Sequence, residues 1–171
     1  KNIDGVFKVK SEIVKNIKKN GFLVVPNDNK KHLNKWKKMR SDITTISFGM
    51  KDDSDFYPID VKIKQNGLSF LVTSRLLEKP IKISSSLEGV HNVKNILSAF
   101  AVHYCLGQNP QDFSKSISLS KLDNLRQIKY KWLKGSTLID DSYNANPDST
   151  KKSIDLLSNY NKKTVLLLGD M

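Results

Sequence analysis

Thr137-Leu138-Ile139-Asp140-Asp141-Ser142-Tyr143-Asn144-Ala145-Asn146-Pro147-Asp148-Ser149, followed further on by Thr164-Val165-Leu166-Leu167-Leu168-Gly169-Asp170, decides the fold class. An apolar run ending in acids, a polar turn, a helix and a second apolar run read as strand–helix–strand. Pro147 suits the first helical position, which makes Asn146 the N-cap. Strands this apolar are not solvated on either face, so the spacing predicts a parallel pair joined by a right-handed crossover. Asp140-Asp141 and Gly169-Asp170 would then emerge at one carboxyl edge, where open α/β sheets bind ligands. Solvent-facing turn acids are the plainer reading of either pair.

Upstream, the chain carries mixed helices and strands. From Gly5 to Asn20, Val6, Val9, Ile13, Val14 and Ile17 form one helical stripe, with lysines opposite. Lys10 falls inside that stripe. A buried ammonium is costly, so Lys10 either snorkels at the stripe's margin, pairs, or has its charge changed. Phe22 to Val25 and Ile43 to Phe48 read as strands, the first stopped by Pro26. Ile59 to Ile63 alternates with period two, and Asn66-Gly67 before Leu68 to Val72 signals a hairpin. A short strand follows Pro80. Gly89 precedes a strong helix in which Val93, Ile96, Leu97, Phe100, Ala101 and Tyr104 recur until Gly107 caps it. Asn109-Pro110 opens one more helix. The character changes near Leu122, which places a domain boundary around residues 120–125.

The 171 residues include 29 Lys+Arg against 17 Asp+Glu, a formal charge of +12. Only Arg40, Arg75 and Arg126 are arginine, the side chain that base and phosphate recognition favours. Lysine is scattered, with clusters at Lys30-Lys31 and Lys35-Trp36-Lys37-Lys38, and no nucleic-acid module accompanies it. A solvated basic surface is therefore the reading, with a non-catalytic nucleic-acid-binding module as the alternative. Cys105 is the single cysteine, which excludes an internal disulfide framework. No apolar run approaches the roughly 20 residues needed to span a bilayer, so a reducing, cytoplasmic setting is expected. The chain starts at Lys1 and ends at Met171 directly after a strand-like run, so it reads as a fragment.

Two further groups could carry chemistry. His91, Asn92 and Asn95 share the first turns of the helix after Gly89. Their side chains could bond a ligand edge such as a purine, or simply cap the helix. Arg126 stands at the domain junction, where an arginine could reach a phosphoryl group or make a surface ion pair.

The stretch from Leu138 to Ser149, with Leu168-Gly169-Asp170-Met171, closely resembles the Mur ligase family, and within it the branch that adds D-alanyl-D-alanine. Gly89-Val90-His91-Asn92-Val93-Lys94-Asn95 resembles the family's Gly-x-His-Asn-x-x-Asn helix, and Lys8-Val9-Lys10-Ser11-Glu12-Ile13 its Lys-x-Lys-x-Glu-Ile helix. The resemblance implies an α/β fold. Residues 1–122 would be the latter part of a P-loop-type central ATPase domain, and residues 123–171 the start of a Rossmann-like C-terminal domain. The phosphate loop, a magnesium-binding histidine and the UDP-binding domain would lie outside the chain, leaving it inactive alone. The implied reaction is ATP-dependent amide formation through an acyl phosphate, joining D-Ala-D-Ala to UDP-N-acetylmuramoyl-tripeptide in peptidoglycan precursor synthesis by a monomeric enzyme. A sister ligase adding another amino acid is the runner-up.

The cofactors implied are ATP and Mg2+. By the same resemblance Lys10 is the lysine that CO2 carbamylates to help hold Mg2+, and Asn95 meets the adenine with His91 and Asn92 beside it. Arg126 contacts the ATP phosphates and Asp141 bonds the ribose. Tyr143, Asn144 and Asn146 lie on the dipeptide side. Two departures from the family pattern stand out: Asn124-Leu125-Arg126 replaces Pro-Gly-Arg at the junction, and Pro26-Asn27-Asp28 replaces Asn-x-Asp.

Overall fold

A computed structural model describes residues 2–64, 67–119, 128–160 and 162–169. The chain opens with α1 (Ile3–Ser11), capped by Asn2, whose side chain accepts the Gly5 N–H, and tightens into a 3-10 turn at Glu12–Asn16. Strand β1 (Phe22–Pro26) pairs in parallel with β2 (Thr44–Phe48), and α2 (Lys30–Lys38) connects them. Strands β3 (Tyr57–Lys64), β4 (Gly67–Thr73) and β5 (Ile81–Ser85) form an antiparallel sheet in that order. A parallel bridge between Phe48 and Phe56 links the two sheets.

Helix α3 (Val90–Cys105) packs on β1, β2 and β3, and α4 (Pro110–Leu119) packs on β5. Farther on, β6 (Ile128–Lys131) pairs antiparallel with β7 (Thr137–Asp140), and α5 (Pro147–Ser158) follows. Among the described residues no helix is long and apolar enough to cross a membrane.

The main core follows the periodicities. Alternating Leu68, Phe70 and Val72 on β4 and Ile81 and Ile83 on β5 face Val93, Ile96, Leu97, Phe100 and Ala101 of α3. Phe56 and Phe100 meet edge to face at 5.5 Å, a geometry that suits their ring quadrupoles. Ser47 is buried too, but its N–H and Oγ both donate to Asp55 Oδ2, at 2.7 and 2.6 Å, so no polar group there is orphaned.

Several expectations change. The helix expected over Gly5 to Asn20 stays α-helical only to Ser11, so the stripe splits. Val14 is buried and Ile17 packs beside it, whereas Val6, Val9 and Ile13 are exposed. Phe7 makes the aromatic contact instead, stacked on His32 and edge-on to Trp36. Once the helix tightens, residues beyond Ser11 rotate off the 3.6-residue wheel that put Lys10 between Val14 and Ile17. Lys10 is exposed, not enclosed by apolar neighbours.

The lysine cluster is α2, where Leu33 and Trp36 face inward and the lysines face water. The apolar set of β3 is a third exposed, because β3 is an edge strand and its register slips between Ile59 and Lys62, where Asp60 has a φ of +53°.

The expected parallel pairing of Thr137–Ile139 with Thr164–Leu168 is corrected: β7 pairs with β6, and residues 162–169 join no ladder. A buried parallel strand needs helices on both faces. Here α5 buries only Leu156, and Val165 and Leu167 are 83% and 95% exposed. The ladder that would have brought Asp140-Asp141 and Gly169 to one edge is absent among the described residues. Arg126, Asn124-Leu125, the boundary at 120–125, Asn66 and Asp170 lie outside them.

Candidate functional site

Helix α3 presents its first turn at the edge of the core. Gly89, its N-cap, has a φ of +87°, and a Cβ there would come within 2.8 Å of Cε1 of His91. The positive φ favours glycine, and any side chain there would also have to displace the His91 ring. Asn92 is buried; its Nδ2 donates to the Glu88 carbonyl at 2.7 Å, and its Oδ1 accepts from Asn95 Nδ2 at 3.0 Å. Asn95 is exposed, with one amide N–H and its carbonyl oxygen outside this row of bonds. That edge, one donor beside one acceptor, matches the hydrogen-bonding face of a purine.

His91 is half-buried. Burial, and then the charge of Lys152, hold its imidazole below the ordinary value, while Asp141 pulls the other way. Lys152 on α5 and Asp141 just past β7 thus act on the His91 charge in opposite directions. Asp141 is anchored by Ser153, whose Oγ donates to Oδ2 at 2.6 Å, and Asp140 Oδ1 accepts the Ser142 N–H at 3.0 Å.

Tyr143 and Asn144 lie exposed on the loop between. Asn146 is occupied as the N-cap of α5: its Oδ1 accepts the Ser149 N–H at 2.9 Å, and Ser149 Oγ returns the bond. Lys10 sits in the last turn of α1, and no contact among the described residues joins it to these groups.

Three features were missed in the sequence. Asp28, just past β1, pairs with Lys94 of α3 and ties the helix to the end of the parallel pair. Asn27, beside it, donates from Nδ2 to Asp53 and Ser54. Glu88 is buried, and its carboxylate takes Lys129 of β6 on Oε1 and the Tyr160 hydroxyl on Oε2, the latter at 3.0 Å. Burial opposes the Lys129 charge, but the bonds to Glu88 and Tyr160 outweigh it and raise its pKa. Long-range partners of this kind leave no periodic trace in a sequence.

The described residues include no group of three or more His, Cys, Asp or Glu side chains able to hold an ion. Magnesium in phosphoryl-transfer sites takes much of its coordination from water and phosphate.

Comparison with known proteins places the chain in a family. Residues 1–103 match the Mur ligase middle domain. The UDP-N-acetylmuramoyl-tripeptide–D-alanyl-D-alanine ligase of Bacillus subtilis is 31% identical over 171 residues, covering 98% of this chain and 35% of that protein. The fold superposes on the crystal structure of MurF from Acinetobacter baumannii with a TM-score of 0.82 at 23% identity, over 92% of this chain and 34% of that one. MurF ligase from Thermotoga maritima in complex with ADP aligns with a TM-score of 0.73 at 22% identity, covering 92% of this chain and 35% of that chain.

The fold class is therefore the mixed α/β fold of the Mur ligases. This chain belongs to the Mur ligase family, and it spans about a third of the length of the relatives it matches.

Proposed function

We propose that this chain is part of an ATP-dependent ligase that joins D-Ala-D-Ala to UDP-N-acetylmuramoyl-tripeptide. Residues 1–122 would serve the nucleotide side and residues 123–171 would begin the unit that receives the dipeptide. The observation that carries the reading is that Glu88, at the foot of the helix bearing the Asn92–Asn95 amide row, bonds to Lys129 and Tyr160 of the unit that carries Asp141. The B. subtilis relative, named for this reaction, and the ADP-bound MurF neighbour support it.

In this proposal Asn95 offers its free amide edge to the adenine, and the Ser153-anchored Asp141 accepts from the ribose hydroxyls. A carboxylate oxygen of the tripeptide attacks the γ-phosphorus, and ADP departs. The dipeptide amine then attacks the acyl carbon, and phosphate departs with the C–O electron pair. Arg126 spreads phosphoryl charge, and alignment of amine and acyl carbon supplies much of the rate. Mg2+, when bound to the nucleotide, would neutralise phosphate charge. Lys10, exposed on α1, is open to carbamylation by CO2, which would turn a cation into an anion. Tyr143 and Asn144, exposed on the loop before α5, would meet the dipeptide.

The test is phosphate release by the full-length protein. It should require ATP, the UDP-tripeptide and D-Ala-D-Ala together. Release that is indifferent to the dipeptide, or that prefers a single amino acid, would overturn the assignment.

A further inference from the structure

We propose that Glu88 is a latch that fixes how the unit of β6, β7 and α5 seats against the amide-bearing end of α3. Its two halves face different partners. The main-chain carbonyl accepts from Asn92, the inner member of the amide row. The carboxylate grips Lys129 on β6 and Tyr160 just beyond α5. Lys129 also stands over the Tyr160 ring, with its ammonium 5.6 Å from the centroid. One residue at the foot of α3 thus holds both ends of the later unit.

Apolar packing does little of this work. Among the described residues of 128–160 only Leu156 is buried, and the principal packing of β6 is with β7. Where the interface is thin, a buried carboxylate with two partners weighs heavily, because separating them leaves a charge that must be rehydrated or left unpaired. The seated and released arrangements therefore differ by a discrete event, the exchange of Lys129 and Tyr160 for water around Glu88. Its effect on turnover rests on the ligase reading above, since the latch would set the gap between Asn95 and Asp141. The latch itself does not depend on that reading.

Hydrogen exchange read by mass spectrometry on the full-length protein, without ligands, tests the latch. Glu88→Gln should speed amide exchange in β6, β7 and α5 by about tenfold or more, with β2 and β4 unchanged. Lys129→Met should do the same, and the double variant should add little to either single change. Tyr160→Phe, which deletes one hydroxyl, should give a smaller rise in the same segments, and it carries the test if Glu88→Gln does not fold. Unchanged exchange in 128–160, a rise spread evenly through the core, or additive effects of Glu88→Gln and Lys129→Met would overturn the latch. No turnover is read, so a failed latch is distinct from a failed ligase reading, which would show as dipeptide-independent phosphate release by the unaltered protein.

Discussion

At the scale of single residues, His91 shows how placement sets chemistry. Burial and the Lys152 charge lower its pKa against a weaker pull from Asp141, so the folded protein holds the ring neutral near pH 7. The unfolded chain takes up that proton at higher pH than the folded one. This contribution to stability is therefore complete above the unfolded value of about 6.5 and is lost as pH falls below it, until the folded ring is protonated too. Thermal unfolding between about pH 7.5 and 5 should show a decline in Tm that is shallower in His91→Gln than in the unaltered chain. Equal slopes would remove His91 as the source. The same half-buried ring folds back over Gly89, so the glycine and the histidine form one local unit.

At the scale of elements, termini do much of the specifying. The reciprocal bonds between Asn146 and Ser149 start α5 with Pro147 inside the first turn. Asn146→Ala should lower stability by about 1 kcal/mol in denaturant unfolding, as loss of an N-cap does, and an unchanged midpoint would show that α5 is held by its packing instead. This occupation also bears on Asn146 as a dipeptide-side residue, because its Oδ1 is already committed to the helix. In α1 the end matters more than the start. The Ser11 hydroxyl donates back to the Phe7 carbonyl at 2.7 Å, and Arg40 takes the carbonyls of Val14 and Ile17 at 3.0 and 2.6 Å. The helix tightens there rather than continuing, which is why a wheel drawn through Ile17 misplaces Lys10.

For the molecule as a whole, the two ends of the chain are stabilised differently. The earlier residues form an aromatic and aliphatic core in which Phe100 touches Phe56 and Phe113 edge to face, at 5.5 and 5.3 Å. Phe100→Ala should cost about 3–5 kcal/mol and lower the unfolding midpoint of that core. A loss below 1 kcal/mol would mean that the site collapses around the cavity. The later residues rely on backbone pairing and on the grip of Glu88, and they expose Trp132, Leu133 and the run from Val165 to Leu168.

Local pattern alone determined the elements whose signal is periodic or carried by a cap. These were β1, β2, β4 and β5, the inward face of α3 with its glycine punctuation, the N-cap of α5, and the motifs that identified the family. Each depends on neighbours a few residues apart, so the order of side chains contains it. Tertiary structure decided what depends on distant partners: the break in α1, the inward face of α2, the antiparallel pairing of β7 with β6, and the tie between Asp28 and Lys94. It also decided that Glu88, which no pattern in the sequence singled out, lies buried between Lys129 and Tyr160. A buried charge is settled by whatever meets it in space, and nothing in the spacing of residues along a chain records that meeting.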